Sequence, residues 1–168
     1  ETKLTVNTDP WSKHTMADRK EQFDLSLKLY AQLGDMTYAV DRMNAARKAL
    51  DERAAKLGDD GLAKRCRKES ARVDDFRKKI VATKEGGMIT GEERLREYLA
   101  GLYGEVTGYE GKPSQTQIER TDALARELAD VVSEFDAWSA KELADVNKAL
   151  AGKSLEPVNQ PTRAEWDK

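Results

Sequence analysis

Between Leu25 and Leu57, apolar side chains recur in alternating steps of four and three residues: Leu25, Leu29, Leu33, Met36, Val40 and Met43, then, past Arg47 as a gap, Leu50, Ala54 and Leu57. That spacing is the signature of one helix face sustained over many turns. Gly34 falls inside the run. A chain reversal there would lose the phase, yet Leu33 and Met36 keep the three-residue step. The pattern therefore predicts one helix passing through the glycine, at a cost of about 1 kcal/mol relative to alanine. Thr15, with Asp18 three residues on, is the natural N-cap. A helix from Thr15 to Leu57 is ~64 Å long at 1.5 Å per residue, and Gly58-Asp59-Asp60-Gly61 supplies the turn, with Gly58 past the helix end and Asp60 as the next cap.

The rest of the chain is read in the same way. A second helix, about Leu62 to Thr83, carries Leu62, Cys66, Val73, Phe76 and Ile80, with Glu69 interrupting the stripe, and Gly86-Gly87 ends it. Thr90-x-x-Glu93 reads as a capping box opening a third helix with Leu95, Leu99, Leu102 and Val106 inward, closing near Gly108. After a loop from Gly108 to Pro113, Ser114-x-x-Gln117 reads as another box. It opens a fourth helix that runs to about Ala151 through Ile118, Leu124, Leu128, Val131, Phe135, Trp138, Leu143, Val146 and Leu150. The first and fourth helices match the sum of the second and third in length, each roughly 40 residues, so three legs with a broken middle leg fit best. An up-down-up-down four-helix bundle is the alternative. The two differ in where Val106 lies: beside Phe23 in the first, beside Leu57 in the second.

The expected fold class is therefore all-α, an elongated antiparallel bundle over residues 15–151 with an irregular tail over 152–168. Lys3-Leu4-Thr5-Val6-Asn7-Thr8 alternates apolar and polar and reads as a strand stopped by Asp9-Pro10. One strand cannot pair with itself, so residues 1–14 are expected to be the end of an upstream β-domain and its linker.

Composition removes several function classes. With 29 Lys+Arg against 31 Asp+Glu, the net charge of −2 gives no electrostatic case for nucleic acid. No stretch free of charged residues exceeds seven residues, as at Tyr98 to Gly104, so no membrane span is expected. A hydrophobic share of 39% beside a charged share of 36% suits long helices with one apolar stripe. A single cysteine and a single histidine are too few for Cys2His2 zinc, a di-iron bundle or a deaminase signature. No cofactor or metal is expected.

His14 precedes a helix and reads as a surface imidazole, and Cys66 on the second helix's stripe reads as a small buried hydrophobe, since neither has the partners that nucleophilic chemistry needs. Pairs such as Asp59-Asp60, Asp74-Asp75 and Glu92-Glu93 sit at turns, helix starts or solvated faces, where nothing moves their pKa values apart. The basic cluster around Arg65, Lys68 and Arg72 is interleaved with Glu69, Asp74 and Asp75 and reads first as a solvated face, second as an anion or partner surface. Phe23, Tyr30, Tyr38, Phe76, Tyr98, Tyr103, Phe135 and Trp138 at helical spacing read as core and interhelix seam. Trp11 and Trp166 lie outside the helices and are expected to dock the end segments on the bundle or on a neighbouring domain. Trp11, Trp166, Arg65, Lys68 and Arg72 are the candidate interaction residues; no catalytic residue is expected.

The run Leu4 to Pro10, followed by Gln22-Phe23-Asp24-Leu25-Ser26-Leu27-Lys28-Leu29, resembles the closing region of large bacterial secreted proteins with sortilin-like or sialidase-like β-propeller repeats, commonly labelled glycosyl hydrolases. Val146-Asn147-Lys148-Ala149-Leu150 and Leu155-Glu156-Pro157-Val158 resemble the ending of that region. The resemblance implies a non-catalytic helical scaffold or interaction module, secreted or periplasmic, following the propellers and a small β-sandwich. The implied partner is that upstream β-propeller or β-sandwich domain. No Ser-x-Asp-x-Gly-x-Thr-Trp box occurs here, so no catalytic role carries over. A free-standing coiled-coil adaptor that homodimerises through the long helices is the alternative, and a hydrolase in its own right a third.

Overall fold

The computed structural model describes residues 2–7, 9–84 and 91–168. Helix α1 spans Met16–Leu57, α2 Gly61–Ile80, α3 Leu95–Thr107 and α4 Gln115–Trp138; a π-helical turn over Ser139–Leu143 joins α4 to α5, Ala144–Ala151, and α6 is a single turn, Arg163–Trp166. The fold is all-α, and none of its helices is long and apolar enough to cross a membrane.

The ends of α1 follow from local chemistry. The Thr15 hydroxyl accepts the Asp18 N–H at 3.2 Å and the Asp18 carboxylate accepts the Thr15 N–H at 2.8 Å, satisfying two donors that a helix start otherwise orphans. Gly58 takes φ 63°, a conformation that only glycine adopts without strain, and the chain reverses there. The Asp60 carboxylate then accepts the Leu62 N–H at 2.7 Å and starts α2. The helix is unbroken through Gly34, as the apolar phase predicts.

Three legs make the bundle. α1 is the first and is about 63 Å long; α2 and α3 together form the second, running back along it; α4, the π turn and α5 form the third, parallel to α1. Val106 lies beside the start of α1, where the Gln22 amide donates to the Val106 carbonyl at 2.6 Å, so the broken middle leg holds and the up-down-up-down alternative does not. Arg42 to Asp136 at 2.7 Å and Arg53 to the Glu156 carbonyl at 2.9 Å pin the third leg and the tail along α1.

Several sequence expectations are corrected. Residues 2–7 form no strand, since no second strand is present among the described residues to take their backbone hydrogen bonds. The Thr90 capping box falls partly outside the described residues; α3 begins at Leu95, where the Glu97 carboxylate accepts the Arg94 N–H at 3.0 Å. α2 stops at Ile80, and Val81 is already extended. Apart from the single turn α6 the tail has no regular structure, and side chains hold it on the bundle: the Asn147 amide accepts the Val158 N–H at 2.8 Å and donates to its carbonyl at 3.1 Å, burying Val158, and Thr162 with Glu165 caps α6.

The buried row of α1 also differs from the expected one. It runs Leu25, Leu29, Gln32, Met36, Ala39, Met43, Ala46, Leu50, Arg53 and Ala54, while Leu33, Val40 and Leu57 lie only partly buried beside it. Choosing the bulkiest apolar residue at each turn shifts the row toward one flank. The true row includes alanines, which let neighbouring helices approach, and two polar residues with cross-bundle partners. In the third leg, the five-residue step from Trp138 to Leu143 is too long for an α-helical face, and the π turn absorbs the extra residue so that both side chains stay buried.

Candidate functional site

The core is best built at the level of α2, α4 and the π turn. Phe135 and Trp138 stack with centroids 5.5 Å apart, and Phe76 meets Phe135 edge-on at 6.1 Å. Trp138 brings an indole N–H into this apolar setting. Glu69, which only interrupts the stripe in the sequence, is buried and accepts that N–H at 2.8 Å. An acid at a seam position is the signal that could have marked it, because a buried tryptophan needs an acceptor.

Among the described residues, large exposed apolar side chains are confined to the opposite half of the molecule. The large hydrophobic side chains left exposed are Leu4, Val6 and Trp11 in the N-terminal segment, Met16, Phe23, Leu27 and Tyr30 on the first half of α1, Tyr98 on α3 and Tyr109 in the loop after it. Phe23, Tyr30 and Tyr98 thus depart from the expected core role; Tyr98 is capped only by the Arg120 guanidinium of α4, 5.2 Å from its ring centroid. A groove of about 480 Å³ runs between Phe23, Leu27 and Tyr30 on α1 and Tyr103 and Thr107 on α3.

The polar residues around this groove are only partly satisfied. Gln22 ties the α3–α4 loop to α1, donating to the Val106 and Tyr109 carbonyls and accepting the Gly111 N–H at 3.3 Å. Arg19 pairs through Nη1 with Glu110 at 3.0 Å, while Nε and Nη2, which form the side-on edge of a guanidinium, are buried with no acceptor. Donors left so are costly and mark a place where an acceptor is wanted.

The predicted interaction residues are not brought together. Trp11 is 89% exposed and docks on nothing in the bundle; its backbone N–H only closes a turn on Asp9 at 2.9 Å. Trp166 docks on α1, donating to Asp41 at 2.8 Å and packing 5.6 Å from the Tyr38 ring, with the Arg163 guanidinium over both rings. Arg65, Lys68 and Arg72 lie along α2, and Arg72 reaches Glu142 at 3.8 Å. Much of the remaining basic cluster is paired within the bundle: Arg77 and Lys78 with Asp74 at 2.9 and 2.7 Å, and Lys79 with Glu134 at 2.5 Å.

His14 and Cys66 are also apart. His14 sits edge-on to Tyr109 at 6.2 Å before α1 begins, whereas Cys66 is buried in the first turns of α2, beside the far end of α1. Burial pushes the Cys66 thiol above its ordinary range, which lowers the fraction present as nucleophilic thiolate. Among the described residues no group of three or more His, Cys, Asp or Glu is arranged to hold a metal ion. Compared with family models, with curated proteins and with solved structures, the chain matches none.

Proposed function

We propose that this chain is a non-catalytic helical interaction module that docks through the half of the bundle containing the start of α1. One observation carries the reading: every exposed large hydrophobic among the described residues lies in that half or in the segment leading into it. Contiguous exposed apolar surface of this kind marks an interaction site. The wide separation of His14 and Cys66 supports a non-catalytic role, because neither has the other as a base or nucleophile.

The resemblance supplies the partner, a β-propeller or β-sandwich domain preceding the module in a secreted or periplasmic protein. The N-terminal segment suits that partner. Its alternating Leu4 and Val6 are 87% and 86% exposed, and a segment that alternates apolar and polar residues suits addition to the edge of a sheet. The test is equilibrium binding of the purified chain to that domain. Saturable binding that weakens at least tenfold in Trp11→Ala supports the reading, and no binding overturns it. Turnover of sialosides, aryl glycosides or esters that vanishes in a His14→Ala, Cys66→Ser double variant overturns the non-catalytic role.

A further inference from the structure

The outward face of α1 carries a second row of side chains at coiled-coil spacing. Met16, Lys20, Phe23, Leu27, Tyr30 and Gly34 follow one another in steps of four and three, on the side of the helix opposite the buried row of Leu29, Met36 and Met43. Met16, Phe23, Leu27 and Tyr30 are 66%, 60%, 51% and 67% exposed. Beyond Gly34 the same face is closed by Trp166 lying on Tyr38 and Asp41, so the open stretch is about 27 Å long.

Gly34 is the informative member. Glycine is a poor residue for a helix interior, and a side chain placed there meets nothing within 4 Å, so the chain's own packing makes no use of the missing Cβ. Instead Gly34 floors an open cavity of about 590 Å³ bordered by Tyr30, Thr37, Tyr103 and Trp166. A row of knobs that ends in a hole is complementary to itself.

We propose that this face binds the same face of a second copy, antiparallel, about a twofold axis crossing α1 at the level of Leu25. In that register Met16 of each copy enters the Gly34 cavity of the other, Phe23 meets Leu27, and Lys20 lies over the ring of Tyr30. Asp24 falls opposite Ser26 and Gln22 opposite Lys28, so no like charges face each other. A parallel pairing sets Lys20 against Lys20 and Asp24 against Asp24, and leaves two glycines facing across an empty space. Each of the four apolar residues has roughly 100 Å² to bury. The pair falls below the range of tight interfaces, and the dimer is therefore weak, with a dissociation constant on the order of micromolar. This inference rests on reading the chain as an interaction module, and names one occupant of its apolar half.

Sedimentation equilibrium of the full chain from about 1 to 300 µM brackets that constant. The expected result is a monomer–dimer equilibrium whose dissociation constant rises at least tenfold in Phe23→Glu and in Gly34→Leu. The second variant replaces a poor helix former with a good one, so an unchanged helical spectrum separates lost pairing from lost folding. For orientation, equimolar Met16→Cys and Gly34→Cys chains are mixed and oxidised; Cys66 is buried and does not compete. Mixed cross-links support the antiparallel register. A monomer throughout, a dimer indifferent to both variants, or cross-links only between identical positions each overturns the proposal. A monomer that still binds a β-domain through Trp11 leaves the interaction reading standing, whereas a dimer without such binding removes the β-domain and keeps the pairing.

Discussion

The two halves of α1 sit in opposite environments. From Ala39 to Ala54 the helix is packed by α2, by the third leg and by the tail; Glu69 with Trp138 and Arg53 with the Glu156 carbonyl are paired across the bundle there, while Arg47 Nε is buried without an acceptor. From Met16 to Gly34 only the inner face is covered, four large side chains face solvent, and Arg19 keeps two buried donors without acceptors. The first arrangement is what stability selects. The second leaves apolar area in water, which raises the free energy of the isolated chain, and that exposed area is what separates the two halves.

The largest expected effect tests that contrast directly. Phe135→Ala removes a fully buried ring from the aromatic cluster and is expected to cost about 3–5 kcal/mol, whereas Phe23→Ala on the open face is expected to change stability by no more than about 0.5 kcal/mol. Urea denaturation of both variants, at concentrations where the chain is monomeric, measures the difference. Equal losses break the comparison.

Next comes Glu69. Glu69→Ala leaves the buried Trp138 N–H without an acceptor and is expected to cost about 1–3 kcal/mol. Glu69→Gln retains an acceptor oxygen, and recovery of most of the loss in the same denaturation experiment separates the hydrogen bond from the packing. A Gln variant as unstable as the Ala variant removes the hydrogen bond from the account.

On the open half, Gly34→Ala is expected to raise monomer stability by about 0.5–1 kcal/mol, because the added methyl meets nothing within 4 Å and the backbone is helical. A thermal melt that moves downward shows that α1 bends or packs at that point.

The smallest effect belongs to the connection between α2 and α3. The Glu92 carboxylate accepts the Thr83 and Lys84 N–H groups at 3.0 and 3.4 Å and pairs with Arg94. The Thr83 N–H and then Arg94 hold its pKa down from 4.5 to about 2. A carboxyl depressed in the folded state stabilises the fold above its unfolded pKa, so this contribution is whole above pH 4.5 and is lost as pH falls to about 2. Glu92→Gln is expected to flatten that part of the stability–pH curve slightly, and carboxyl chemical shifts followed by NMR locate the titration. A Glu92 that titrates near 4.5 removes the clamp.

What was readable from sequence was local. Caps at Thr15, Asp60 and Ser114 depend on side chains reaching backbone groups two or three residues away, so they are legible from spacing alone. Continuity through Gly34 is legible because apolar phase is a property of one helix. The broken middle leg followed from helix lengths, since antiparallel neighbours must span the same distance. The Trp166 contact with α1 and the burial of Cys66 match the simplest reading of each residue.

Tertiary structure decided the rest. A periodicity gives the direction of a helix face only to within part of a turn, so whether Gln32, Ala39 and Ala46 or Leu33, Val40 and Arg47 lie innermost depended on where α2 and the third leg sit. The pairing of Glu69 with Trp138 joins residues 69 positions apart, and no local pattern encodes it. Residues 2–7 alternate like a strand, but a strand is a relation between two segments and the described residues offer no second one. The one-sided exposure of Met16, Phe23, Leu27 and Tyr30 is of the same kind: their spacing marks them as a helix face, and only the arrangement of the other legs leaves that face uncovered.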